Sequence, residues 1–206
     1  MDRLIRTLGW TPSTVLDIGG YKGAWTREVQ RLAPNAIVTV VEPNVHPELQ
    51  TLGVRVLYEV LSDCVQTVPW YSNLSTGDSL YKEKTRHYDR VSPTLRTTTT
   101  LDRLFPGETF EYIKLDCQGA ELDILRGGLS ILHGTTALLI ECAFAGQYNE
   151  KAPSFVDYIR MLDDIGFAPL DITEMHRANE ILFQVDILFL RKKSPLWSMV
   201  QLRVVD

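Results

Sequence analysis

The chain has 206 residues, enough for one domain with a sizeable core. Hydrophobic residues make up 45% and charged residues 23%, ordinary values for a soluble globular protein. A net charge of −5 argues against a nucleic-acid partner, because phosphate binding relies on a basic field.

The first ten residues lack the apolar core of a secretory signal. No apolar run is long enough to span a bilayer, so no membrane association is expected. Cys64, Cys117 and Cys142 are odd in number and form no CxxC pair. They read as buried thiols in a reducing cytoplasm, not as a disulfide framework, a zinc site or an activated nucleophile.

Val15 to Gly19 is a short apolar strand that ends in glycines. Ala24 to Ala33 follows as a helix with Trp25, Val29 and Leu32 on one face. Ala36 to Glu42 is a nearly continuous β-branched run, the mark of a strand buried on both faces. A short helix is expected around Pro47 to Leu52, then a third strand from Val54 to Leu61. Residues 64–110 form an irregular insertion, with strands at Val68 to Tyr71 and Thr94 to Thr100. Within it, Leu101 to Leu104 adds a helical turn capped by Thr100, and regular structure resumes with a strand at Tyr112 to Asp116. A helix at Glu121 to Arg126 and a strand at Ala137 to Ala143 follow. Ser154 and Asp157 have capping-box spacing at the start of a helix to Ile165, which Gly166 terminates. Phe167 to Ile172 and Val185 to Leu190 are the closing strands, and residues 193–206 read as a tail. Strands alternating with helices predict one α/β domain with a core of about residues 13–192. Its sheet is mostly parallel, and ligands bind beyond the carboxyl ends of its strands.

An acid stands at or just past the end of each of the five expected core strands: Asp17, Glu42, Asp63, Asp116 and Glu141. The fold logic predicts that they border one crevice. The first turn, Asp17-Ile-Gly19-Gly20-Tyr21-Lys-Gly23, opens the backbone to a ligand. In a GxGxxG frame, Asp17 would occupy the first glycine position and repel a pyrophosphate. The same carboxylate suits a cationic, phosphate-free ligand such as S-adenosylmethionine. Glu42 lies 23 residues after Gly19, the spacing of a ribose-binding acid. Asp63, after Ser62, stands where an adenine amino group needs an acceptor, and reads equally well as a turn residue.

The chain resembles the FkbM family of S-adenosylmethionine-dependent methyltransferases. The matching stretches are Val15-Leu-Asp-Ile-Gly-Gly-Tyr-Lys-Gly23, Val41-Glu-Pro43-Asn44, Leu61-Ser-Asp63 and Gly77-Asp-Ser-Leu80. They continue with Thr99-Thr-Leu-Asp102, Ile113-Lys-Leu-Asp-Cys-Gln-Gly-Ala-Glu121, Leu139-Ile-Glu141 and Val185-Asp-Ile-Leu-Phe-Leu190. The resemblance implies a Rossmann-like, seven-stranded sheet with the last strand antiparallel. It also implies O-methylation of a small-molecule acceptor, a sugar or a secondary metabolite. Gln118 departs from the family, which usually has Glu there.

Methyl transfer to oxygen needs alignment, worth about 7–11 kcal/mol, and a base worth about 10²–10⁴-fold. Asp116 is the first candidate base, with backbone binding or turn capping as competing roles. Lys114 points to the same strand face and is expected to pair with a strand-end acid. Glu141 completes the catalytic set. No metal is favoured, because no His/Cys ligand cluster is present; the alternative places a divalent ion on Asp116 and Glu141. Glu121 is expected to serve its helix N-terminus, and Asp186 to make a structural hydrogen bond. Residues 70–90 and 146–150 are left for the acceptor, with Tyr88 and Tyr148 as candidates and His87 as an alternative base. Two competing readings stand: a nicotinamide-nucleotide enzyme, and a module with this fold that binds without catalysing.

Overall fold

The computed structural model describes residues 1–145 and 148–205. A seven-stranded sheet organises them, in the order β3-β2-β1-β7-β8-β10-β9. Its left half is β1 (Thr14–Ile18), β2 (Ile37–Val41) and β3 (Arg55–Leu57); its right half is β7 (Tyr112–Leu115), β8 (Ala137–Ala143), β9 (Phe167–Ala178) and β10 (Ile181–Arg191). The five strands from β3 to β8 run parallel, and β10 is antiparallel to both its neighbours. This is the seven-stranded class I methyltransferase arrangement that the resemblance implied.

Both faces of the sheet are covered, and alternation along the strands divides the core in two. Leu16, Ile113, Leu138 and Phe189 pack with α5 (Glu121–Arg126), α6 (Leu129–His133) and α7 (Phe155–Asp164). Their chain neighbours Val15, Tyr112, Leu139 and Leu188 pack on the other face, with α1 (Asp2–Leu8), α2 (Ala24–Leu32) and α8 (Pro195–Val205). Thus the expected tail ends in a helix. The capping box at Ser154 and Asp157 is formed as the spacing predicts.

Three expectations need correction. The run expected as one third strand divides: β3 joins the main sheet, while β4 (Val60–Leu61) leaves it. β4 pairs with β6 (Thr94–Thr99), which also pairs with β5 (Thr67–Trp70), in a second, three-stranded sheet. Tyr58 and Glu59 make the break, so the apolar pattern is continuous where the backbone is not. The closing strands extend well past their expected ends, as a hairpin turning at Asn179 and Glu180, both at positive φ. That turn geometry usually takes Asn-Gly, and the added strand residues are largely exposed, so neither signal was visible. Finally, only Cys142 is buried; Cys117 is partly exposed, and Cys64 is exposed because it follows β4 out of the main sheet.

The chain reverses its direction of travel across the sheet between β1 and β7, so a crevice opens beyond their carboxyl ends. Gly19 permits it. A β-carbon there would lie 1.9 Å from the carbonyl oxygen of Asp116, and φ is +79°. Only glycine lets these two strand exits pass so closely.

Candidate cofactor and acceptor cavity

A cavity of about 1040 Å³ fills this crevice. The β1–α2 turn contributes Gly19, Gly20 and Tyr21; the β2 exit contributes Glu42 and Pro43; the β7 and β8 exits contribute Asp116, Gln118 and Glu141. Residues 73–88 overlie one side, and the β9–β10 hairpin closes the other. Gly146 and Gln147, expected on the acceptor side, lie outside the described residues.

Three of the five strand-exit acids border the cavity, and two do not. Asp17 is fully buried beneath the turn: its carboxyl accepts the Thr26 hydroxyl at 2.6 Å and would lie 3.4 Å from a β-carbon on Gly20. Burial pushes its pKa up. It fastens the glycine turn to α2 and lines nothing. Asp63 is exposed, and neither it nor Ser62 reaches the cavity; both followed β4 into the second sheet. Gly23 caps α2 at φ +76° and shapes the turn from behind.

Glu42 is only 6% exposed, yet it faces the cavity. Each carboxylate oxygen accepts one backbone N–H at 2.9 Å, from Tyr21 and from Asn44. Each oxygen therefore keeps a lone-pair direction for a ligand hydroxyl. Burial raises its pKa, and the two backbone donors offset part of that rise. The bond to Tyr21 also holds a non-glycine residue at φ +45°, a conformation that costs about 1–3 kcal/mol.

Across the switch point, Lys114 pairs in register with Asp17 and reaches the Asp116 carboxylate at 2.9 Å. Burial disfavours its charge, but Asp116 and Asp17 outweigh burial, so the ammonium persists. Gln118 stands at φ +54° and is nearly buried. Its amide donates to Asp116 at 3.1 Å and to Glu141 at 2.8 Å, bridging the two acids. Its carbonyl oxygen lies 3.1 Å from the Tyr148 hydroxyl. Gln184 also donates to Glu141. Burial, then the neighbouring Asp116 charge, push Glu141 well above the ordinary range. Burial would raise Asp116 too, but the Lys114 ammonium and the hydrogen bonds around it hold it low. Lys114 and the surrounding hydrogen bonds thus favour the ionised form of Asp116, whereas burial beside that charge disfavours the ionised form of Glu141.

Glu121 is fully buried and lines nothing. It accepts the backbone N–H groups of Cys117 and Gly119 and the Tyr158 hydroxyl, and burial pushes it up to about 6. It secures the turn after β7. Burial likewise raises Cys117, so that thiol is not activated.

Of the two candidate acceptor tyrosines, both line the cavity, with different freedom. Tyr88 is 1% exposed, and its hydroxyl donates to Asp78 at 2.7 Å. Tyr148 is partly exposed beside Gln118 and Glu141. His87 lines the rim. The reading from residues missed Asp78, which accepts from Ser72, Asn44, Tyr88 and two backbone N–H groups and so knots residues 72–88 over the cavity. Gly77-Asp-Ser-Leu80 was its only trace in the chain. Trp70, at the start of the stretch expected on the acceptor side, lines the cavity, as do Glu174 and His176, which the sequence did not point to. Asp186 lacks the structural hydrogen bond expected of it: its Oδ1 is buried without a partner.

Residues 17–169 match the methyltransferase FkbM domain. The chain belongs to this family. No functionally curated protein matches it in sequence. Among solved structures, this FkbM-family chain is similar to methyltransferase FkbM from Methylobacillus flagellatus KT, at 15% identity and TM-score 0.54. That match covers 86% of this chain and 43% of the other, so this chain spans less than half of it. It is also similar to Burkholderia thailandensis 1,6-didemethyltoxoflavin-N1-methyltransferase with bound S-adenosylhomocysteine. There the identity is 16% and the TM-score 0.51, over 92% of this chain and 75% of that one. Magnesium protoporphyrin IX methyltransferase from Synechocystis PCC 6803, bound to S-adenosylmethionine, gives 12% identity and TM-score 0.53, over 91% and 74%. At such identities these likenesses establish the fold, and the FkbM-family site must be argued from its own residues. Among those described, no helix is long and apolar enough to cross a membrane.

Proposed function

We propose that the chain binds S-adenosylmethionine and transfers its methyl group to a hydroxyl of a small molecule, a sugar or a secondary metabolite. The observation that carries this reading is the Asp116 carboxylate, held by Lys114 and Gln118 on the cavity wall between the glycine turn and the acceptor side. The lining fits the cofactor. Among the described residues, Lys114 is the only Lys or Arg on the cavity wall, and it is spent on Asp116 and Asp17, so no free cation there neutralises a pyrophosphate. A sulfonium and an ammonium suit that acidic rim, and Glu42 has acceptor capacity left for two ribose hydroxyls. These features disfavour a nicotinamide nucleotide.

When bound, S-adenosylmethionine supplies an electrophilic methyl group. Glu42, Gly19 and Tyr21 hold the adenosine end. Gln118 and Lys114 aim Asp116, which takes the proton of the acceptor hydroxyl as oxygen becomes methylated. Tyr148 and the ring of Tyr88 border the acceptor. A carboxylate positioned on open space also favours catalysis over binding alone.

Calorimetry tests the first half: S-adenosylmethionine should bind and NAD should not. Tight NAD binding without S-adenosylmethionine binding would refute the assignment. Cofactor turnover across hydroxylated sugars and phenols tests the second half.

A further inference from the structure

A second set of ligand-type side chains converges on the cavity wall, beside the strand-exit pair. Glu174 and His176 on β9 and Asp186 on β10 offer ligand atoms that all lie within 4.8 Å of one another. Topology brings them together. Glu174 and His176 are two residues apart on one strand, and Asp186 pairs directly with Glu174. On its other side Asp186 pairs directly with Glu141. Three carboxyl side chains therefore stand in one row across β8, β10 and β9, where like charges in direct register repel. Glu141 is satisfied by Gln118 and Gln184. Asp186 is not: its Oδ1 is sealed from solvent with no hydrogen-bond donor, and the nearest basic nitrogen, His176 Nε2, is 4.0 Å away. Lys114 is already engaged by Asp116 and Asp17.

We propose that Glu174, His176 and Asp186 form a divalent-cation site at the acceptor end of the cavity. One imidazole with two carboxylates suits a borderline ion such as Mn²⁺ or Zn²⁺, whereas Mg²⁺ and Ca²⁺ prefer oxygen alone. Ligand bonds of about 2.0–2.2 Å require the donor atoms to close by roughly 1 Å. Exposed Glu174 and His176, whose side chain is 39% exposed, supply that movement by rotation, while the largely buried Asp186 stays fixed. The ion faces the cavity and keeps positions open toward it. Resting on the methyl-transfer reading, it would hold the acceptor oxygen and lower its pKa. The binding site itself does not depend on that reading.

Isothermal titration of the full chain with Mn²⁺, Zn²⁺ and Mg²⁺, together with Mn²⁺ electron paramagnetic resonance, tests this directly. One Mn²⁺ or Zn²⁺ per chain is expected, with Mg²⁺ binding far weaker. Asp186→Asn and His176→Ala should each weaken the ion by about tenfold or more, while Asp116→Asn leaves it unchanged. Thermal unfolding and S-adenosylmethionine titration of each variant separate loss of the ion from loss of the fold or of the cofactor site. No ion bound at millimolar concentration overturns the proposal. So does binding that survives Asp186→Asn and fails in Asp116→Asn.

Discussion

The two ends of the cavity are built differently. At the β1–β2 end, backbone does most of the work: Gly19 makes room, and Glu42 is held by the N–H groups of Tyr21 and Asn44. At the β8–β10 end, side chains face side chains: Gln118, Gln184 and Tyr148 gather around Glu141, while Asp186 is left short of a donor. A site made of backbone tolerates little substitution and serves one constant ligand. A site made of side chains is free to change with the acceptor.

The sharpest way to break this contrast is Gly19→Ala. Its β-carbon would collide with the Asp116 carbonyl at a positive φ, so we expect a loss of about 3 kcal/mol or more and no measurable cofactor binding. Unfolding and calorimetry read both; a stable, binding-competent variant would discredit the close crossing.

Next, Glu42→Ala should cost about 3 kcal/mol of S-adenosylmethionine affinity, roughly a hundredfold, for two charge-assisted hydrogen bonds. Asp116→Asn should shift that affinity by no more than about threefold while slowing turnover by about 10²-fold or more. The opposite ranking would exchange the roles of the two ends.

Stability should depend on pH through the buried acids. Glu121 sits at about 6 when folded against an ordinary 4.5. Its stabilising contribution is complete below the lower value and is lost as pH rises through the higher one, about 2 kcal/mol in all. Glu141 shifts the same way. Asp116, held low, acts oppositely: its contribution is present near neutrality and lost only in stronger acid. Ligand-free protein should therefore melt higher near about pH 5 than near about pH 8. A flat or reversed profile would mean that these carboxyls are better solvated than their burial implies.

Smaller effects sharpen the acceptor end. Gln118→Glu puts a third carboxyl beside Asp116 and Glu141, so the base titrates higher and the rising limb of turnover against pH moves alkaline. An unmoved profile would deny Gln118 its bridging role. Tyr88→Phe keeps the ring and removes one bond to Asp78, for about 1 kcal/mol of stability and little change in cofactor affinity.

The short apolar runs of β1, β2, β7 and β8, the capping box at Ser154, the glycine turn and the Glu42 spacing were all legible in the chain. Each is a local rule, expressed within a few residues of where it acts. Other features depend on partners far apart in sequence. Asp63 was misplaced because a two-residue break at Tyr58 and Glu59 moves β4 into another sheet. Asp17 was expected on the rim and lies beneath it, because Thr26 of α2 holds it down. Glu174 and His176 went unnoticed because an exposed hairpin extension has no apolar period, and only strand pairing sets them beside Asp186. Short-range pattern alone located most strands of the main sheet and its glycine-lined edge. Which acids line that edge was decided only in three dimensions, because burial and register are properties of neighbours in space.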